Sequence, residues 1–132
     1  MLADFLRFLT GQPPEMDQSE CEAFVDAVVF AMMADRVVDP DEMEQVESYA
    51  AKLPWQSEAS VDDYVRQSLA AAAQCRNFAT QAEPYLRTIV SRMRSSEVRA
   101  YTRDACLSVT AADGETTRTE KALEELVKQV FN

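Results

Sequence analysis

The sequence predicts an all-α protein, a compact bundle of six or seven helices built from two related helical repeats. Three observations point there. Two glycines and five prolines in 132 residues leave little turn chemistry for a many-stranded fold, while alanine, leucine, glutamate, glutamine and arginine favour helix. Capping signals recur at the start of one apolar 3.6-residue pattern after another. No segment alternates convincingly with period two. A chain of this length is expected to form one domain with one core, here 19–132, preceded by an N-terminal helix and linker, 1–18.

The elements follow in order. "MLADFLRFLTGQPP" places Leu2, Phe5, Leu6, Phe8 and Leu9 on a short helix, too short to span a bilayer. It is read as packing on the domain or on a partner, a homodimer being the simplest case, with a membrane-surface foot as the alternative. Ser19 with Glu22 reads as a capping box opening "CEAFVDAVVFAMMA", which is apolar nearly all round and therefore central. Met32 and Met33 belong to that core reading. Asp39 caps the next helix, with Pro40 first and Glu42 third. Met43, Val46, Tyr49, Ala50 and Leu53 form its inward stripe, Pro54 ends it, and Trp55 is expected to close over the core.

Ser60 with Asp63 opens a helix to about Gln74, with Tyr64, Val65 and Leu69 inward. Thr80 with Glu83 opens another, Pro84 lying in its first turn, with Leu86, Ile89, Val90 and Met93 on one face. Ser95 or Ser96 begins a helix carrying Val98, Tyr101, Ala105 and Val109, which reaches Ala112 and stops at Gly114. The last is capped by Thr117 with Glu120 and buries Leu123, Leu126, Val127 and Val130.

Composition narrows the chemistry. A net charge of −10 repels phosphate backbones, so no nucleic-acid partner is expected; cations and basic protein surfaces are. With no histidine, a Ser-His-Asp triad or a Glu-x-x-His di-iron site is excluded within the chain. Cys21, Cys75 and Cys106 are widely spaced and read as small buried hydrophobes in a reducing cytoplasm.

Two acidic turns carry the functional signal. "MADRVVDPDE" at 33–42 and "AADGETTRTE" at 111–120 align at one offset: Asp35 and Asp113 are 78 positions apart (113 − 35), as are Glu42 and Glu120 (120 − 42). Asp26 with Asp104, Ala27 with Ala105 and Glu47 with Glu125 fall on the same offset, which reads as an internal repeat. An Asp at the end of a helix faces the negative pole of the dipole, so it needs exposed amides or a cation. One reading makes these carboxylates clasps on the following helix starts, where a third-position Glu belongs. The other brings Asp35, Glu42, Asp113 and Glu120 together around Ca²⁺, Mg²⁺ or Mn²⁺, hard ions that take oxygen ligands. An EF-hand does not fit: counting from Asp113, Arg118 stands where the loop needs glycine, and from Asp35 the twelfth residue is Val46.

"ADGETTRTE" after an apolar helix, followed by "KALEELVKQVF", resembles the TerB-like family of tellurite-resistance proteins, over roughly residues 19–132. Asp113, Gly114 and Glu120 match its turn. In the first copy Asp35 and Glu42 remain, but Arg36 stands at the glycine position, where a left-handed conformation costs about 1 kcal/mol. The resemblance implies a non-enzymatic helical domain that binds a metal or another ligand through its acidic residues. It implies a stress-response setting with partner proteins or a membrane. A structural adaptor, with the turns serving only as clasps, is the alternative. An enzyme ranks last, since no nucleophile, phosphate loop or substrate cleft is legible.

Asp26 and Asp104 stand out in largely apolar helices and need partners if buried, Arg99 or Arg103 being candidates. "RSSEVR" with Arg92, Arg94 and Arg99 gathers positive charge. It reads as a solvated helix junction, or as a basic face for an acidic partner or for the carboxylates.

Overall fold

The structure, a computed structural model, describes residues 11–34, 38–111 and 118–132. Among these it has six helices and no strand: α1 (Gln18–Met33), α2 (Pro40–Ala51), α3 (Val61–Ala73), α4 (Phe78–Val90), α5 (Ser96–Thr110) and α6 (Arg118–Val130). The expected N-terminal helix, and the caps at Gly114 and Thr117, lie outside the described residues.

α1 is the axis of the bundle because it has almost no polar face. Eleven of its sixteen residues are buried, so neighbours cover it on every side: α2, α3, α4 and α5 all pack on it. α5 also carries α2 and α6, and α6 closes against α4. Two aromatic groups fix these helices. Phe24 stacks on Tyr101 with centroids 5.3 Å apart and meets Tyr49 edge-on at 5.8 Å, joining α1, α2 and α5. Phe30 stacks on Tyr85 at 4.6 Å and on Phe78 at 6.4 Å, joining α1 to α4. Trp55 is half-buried against Tyr64, and its indole N–H donates to the Ala59 carbonyl at 2.8 Å. Met32 is fully buried and Met33 packs at the core margin.

The helix starts at Asp39, Ser60 and Ser95 are as the sequence predicts. Each side chain accepts from a first-turn amide, and Pro40 leads α2. Two starts differ. α1 is capped by Asp17, not Ser19: Asp17 Oδ1 accepts from the Glu20 amide at 2.8 Å, and Glu20 Oε1 accepts from the Asp17 amide at 3.1 Å. Asp17-x-x-Glu20 and Ser19-x-x-Glu22 obey the same local rule. The register is decided from afar, because the other Glu20 oxygen accepts from the Arg94 amide at 3.0 Å. Glu22 instead accepts from the Gln18 side chain.

α4 begins at Phe78 rather than at Thr80. Gln81 accepts from the Asn77 amide at 2.8 Å, and the Phe78 ring gains the stack on Phe30. Glu83 is thereby freed to pair with Arg87 at 3.2 Å. Pro84 therefore stands inside the helix rather than in its first turn, and no proline amide is there to bond the Thr80 carbonyl.

Candidate functional site

The 78-residue offset extends to the helix starts. The caps of α1 and α5, Asp17 and Ser95, are 78 apart, as are the first residues of α2 and α6, Pro40 and Arg118. All six buried residues of α5 (Val98, Thr102, Ala105, Cys106, Val109, Thr110) fall at this offset on buried residues of α1. Glu20, Phe24, Ala27, Val28, Ala31 and Met32 are those counterparts.

Glu42 and Glu120 each occupy the third position of their helix and are each 2% exposed. Third-position carboxylates usually sit in water while they cap; these rank among the largest fully buried side chains, beside Leu86 and Leu123. α2 rests on α1, α3 and α5, and α6 on α4 and α5, so α5 is the neighbour that both glutamate-bearing helices share. Asp35 and Asp113 lie outside the described residues. Among the described residues no group of three or more Cys, Asp or Glu side chains is arranged to hold a metal ion.

A second polar cluster lies within the bundle. Asp26, on the flank of α1 toward α3 and α4, forms an ion pair and hydrogen bond with Arg92 just beyond α4. The same carboxylate oxygen accepts from the Tyr64 hydroxyl of α3 at 3.0 Å. Arg92, rather than Arg99 or Arg103, is thus the partner of Asp26. Arg103 does pair with Asp104, at 3.2 Å. Burial, then the Asp26 charge, pushes the Tyr64 hydroxyl up to about 12. Tyr85 is raised for the same two reasons. Desolvation opposes the charge on Arg92, but its bonds to Asp26 and Tyr64 outweigh this and raise its pKa. This carboxylate, held by a guanidinium and a phenol, ties α1, α3 and the α4–α5 junction together.

That junction is stitched to the first turn of α1 as well. Glu20 accepts from the Arg94 amide, the Arg94 guanidinium lies 3.8 Å from Asp17, and Arg99 donates to the Met93 carbonyl at 3.2 Å. Arg92 and Arg99 are thus turned to bonds inside the fold, and the junction is a clasp as much as a solvated corner. The sequence signal for Glu20 was present in Asp17-x-x-Glu20, but its bond to Arg94 spans 74 residues and no local pattern encodes it.

Two of the three thiols, Cys21 and Cys106, are buried in the core. Burial, then Asp17, pushes Cys21 up to about 11, and burial alone raises Cys106 further. Cys75 is only half-buried, unlike the other two. No helix among the described residues is long and apolar enough to cross a membrane. Comparison of the chain with protein-family models, with curated proteins and with solved structures finds no match. The TerB-like resemblance therefore rests on the sequence pattern.

Proposed function

We propose that the protein is a non-enzymatic, TerB-like binding module of the tellurite-resistance and stress-response type, acting in the cytoplasm. Its two acidic turns, Asp35 with Glu42 and Asp113 with Glu120, take a divalent cation such as Ca²⁺, Mg²⁺ or Mn²⁺, or hold a protein partner. The observation that carries this reading is the matched pair of glutamates. Two third-position carboxylates, 78 residues apart on helices that start in the same register, are both 2% exposed. Carboxylate oxygens are the ligand type that a hard cation takes. The matching helix starts, with the matching buried face of α1 and α5, support descent of α1–α2 and α5–α6 from one repeated unit.

A second reading has its own observation. Glu20 is a buried carboxylate that this chain uses as a clasp, its two oxygens accepting from the Asp17 and Arg94 amides. By analogy, Glu42 and Glu120 would close loops in a structural adaptor that assembles through its surface or its N-terminal segment.

Thermal melts of metal-stripped protein separate the two. With Ca²⁺, Mg²⁺ or Mn²⁺ at a hundredfold excess over Kd, a cation site adds about 2.7 kcal/mol of stability. That gain disappears in Asp35→Asn with Asp113→Asn. No gain in the native chain, with a lower melting point in the variant, establishes the clasp instead.

A further inference from the structure

The outer faces of α2 and α3 are not used by either reading. Between the two helices runs a groove of about 320 Å³, lined by Met43, Glu47, Ala50, Asp62, Val65, Arg66 and Leu69. The spacing is regular: i, i+4, i+7 along α2 and i, i+3, i+4, i+7 along α3. The lining thus extends for about two helical turns on each side, roughly 10 Å. Ala50 and Val65 form a buried floor, and Met43 and Leu69 are half-buried walls. Glu47 and Asp62 stand exposed on the rim.

We propose that this groove docks a cationic amphipathic helix of a partner protein. Its shape and apolar floor suit the helix-in-groove mode, where residues at i, i+3, i+4 and i+7 bury their side chains. Its charge selects the sign. α2 and α3 together carry six acidic residues against one basic residue, Arg66, which lines the groove and is bonded to Asp63 at 3.0 Å. The field over the groove is therefore negative, which attracts lysine and arginine and repels nucleic acid and anionic lipid.

A second groove provides the contrast. Phe78, Ala82 and Leu126 floor a groove between α4 and α6 with Glu83 and Glu125 beside it. There Glu83 is paired with Arg87, and the acidic residues of α4 and α6 are matched by equal numbers of basic ones, one on α4 and three on α6. With no net charge on that helix pair, the field gives no preference for a cationic ligand. The α2–α3 groove is distinguished by its sign, not by being apolar.

The test uses the full chain, isotope-labelled, titrated with a synthetic leucine–lysine amphipathic helix and, separately, with its leucine–glutamate counterpart. Binding of the lysine peptide alone is expected, with NMR shifts concentrated at Met43, Ala50, Val65 and Leu69. Glu47→Lys with Asp62→Lys should weaken it at least about tenfold, two like charges now facing the ligand. Glu83→Lys with Glu125→Lys, an equal change in net charge, should leave it within about twofold. All four residues are exposed, and a melt of each variant verifies its fold.

Equal weakening by both pairs would reduce the effect to bulk charge and overturn the proposal. So would shifts spread over the surface or centred on Phe78 and Leu126, or equal binding of the glutamate peptide. Shifts of the same four amides that grow with protein concentration, in the absence of peptide, would make a second copy the occupant, also against the proposal.

Discussion

α1–α2 and α5–α6 begin at matching positions, and the face that α5 buries is buried in α1 too, yet they carry different loads. α1 is enclosed by four helices, and its Asp26 side chain is 14% exposed in an ion pair with Arg92. α5 has an open side, and Asp104, at the equivalent position, is 69% exposed beside Arg103. Even the third positions differ: Glu20 accepts two backbone amides, whereas its counterpart Val98 is fully apolar core. Local rules set where both pairs start. Tertiary surroundings decide what each equivalent residue does, and substitutions at matched positions measure the difference.

The widest gap is expected at Phe24 and Thr102, 78 apart and both fully buried. Phe24 joins Tyr49 and Tyr101 into one aromatic group, and removing it leaves a cavity among three helices. Phe24→Ala should cost about 3–5 kcal/mol. Thr102 donates its hydroxyl to the Val98 carbonyl of its own helix at 2.7 Å, so Thr102→Ala loses one methyl and one local bond, about 1 kcal/mol. Urea unfolding of both variants checks the ratio. Equal costs would mean that the two helices share the core evenly.

Next comes the aspartate pair. Asp26→Asn leaves the half-buried Arg92 without its counter-charge and should cost roughly 2 kcal/mol, less than a fully buried pair because water reaches the guanidinium. Asp104→Asn should fall within about 0.5 kcal/mol of the native chain. Asp26→Asn combined with Arg92→Met tests the mechanism: the double variant should recover part of the loss, since no buried charge is then left alone.

How much of this was legible depended on range. The helices, most of their inward faces and three caps could be read because each is fixed within four residues. Ser60 with Asp63 and Asp39 with Pro40 are examples. The α1 start was ambiguous, since Asp17 and Ser19 offer the same box, and the choice was made by Arg94, 74 residues away. Asp26 was recognisable as anomalous, an acid in an apolar helix. Its partner was not, because Arg92 reaches it only once α4 has packed. At the acidic turns, the burial of Glu42 and Glu120 could not be read from sequence, where position three means an exposed cap. Asp35 and Asp113, the other two residues of that candidate site, lie outside the described residues.

The two networks also differ in how they meet alkali. Tyr64 is pushed up to about 12 by burial and then by Asp26, and Tyr101 to about 12 by burial and then by Tyr49. An unfolded tyrosine loses its proton near pH 10, so above that the unfolded chain binds fewer protons than the native one. Stability from both residues is intact below about pH 10 and falls as pH rises from about 10 to 12. Tyr64→Phe and Tyr101→Phe should each flatten that decline, read as melting temperature against pH. Of the two, only Tyr64→Phe should also change the response to Asp26→Asn, because Tyr64 is the one that bonds that carboxylate.

The smallest difference concerns the two caps. Asp17 and Ser95 each accept from the amide three residues on, at 2.8 and 3.1 Å. By that bond alone, alanine at either should cost about 0.5–2 kcal/mol. Asp17 has two further contributions: its charge favours the positive end of α1, and the Arg94 guanidinium lies 3.8 Å away. Both are weak at an exposed site and screened by salt, so Asp17→Ala should exceed Ser95→Ala by only about 0.5 kcal/mol in dilute buffer. In 1 M NaCl the two should converge, because what remains is one capping bond apiece. A difference that persists in high salt would assign the extra cost to the Glu20 side of the box, whose reach to Arg94 depends on the turn that Asp17 holds.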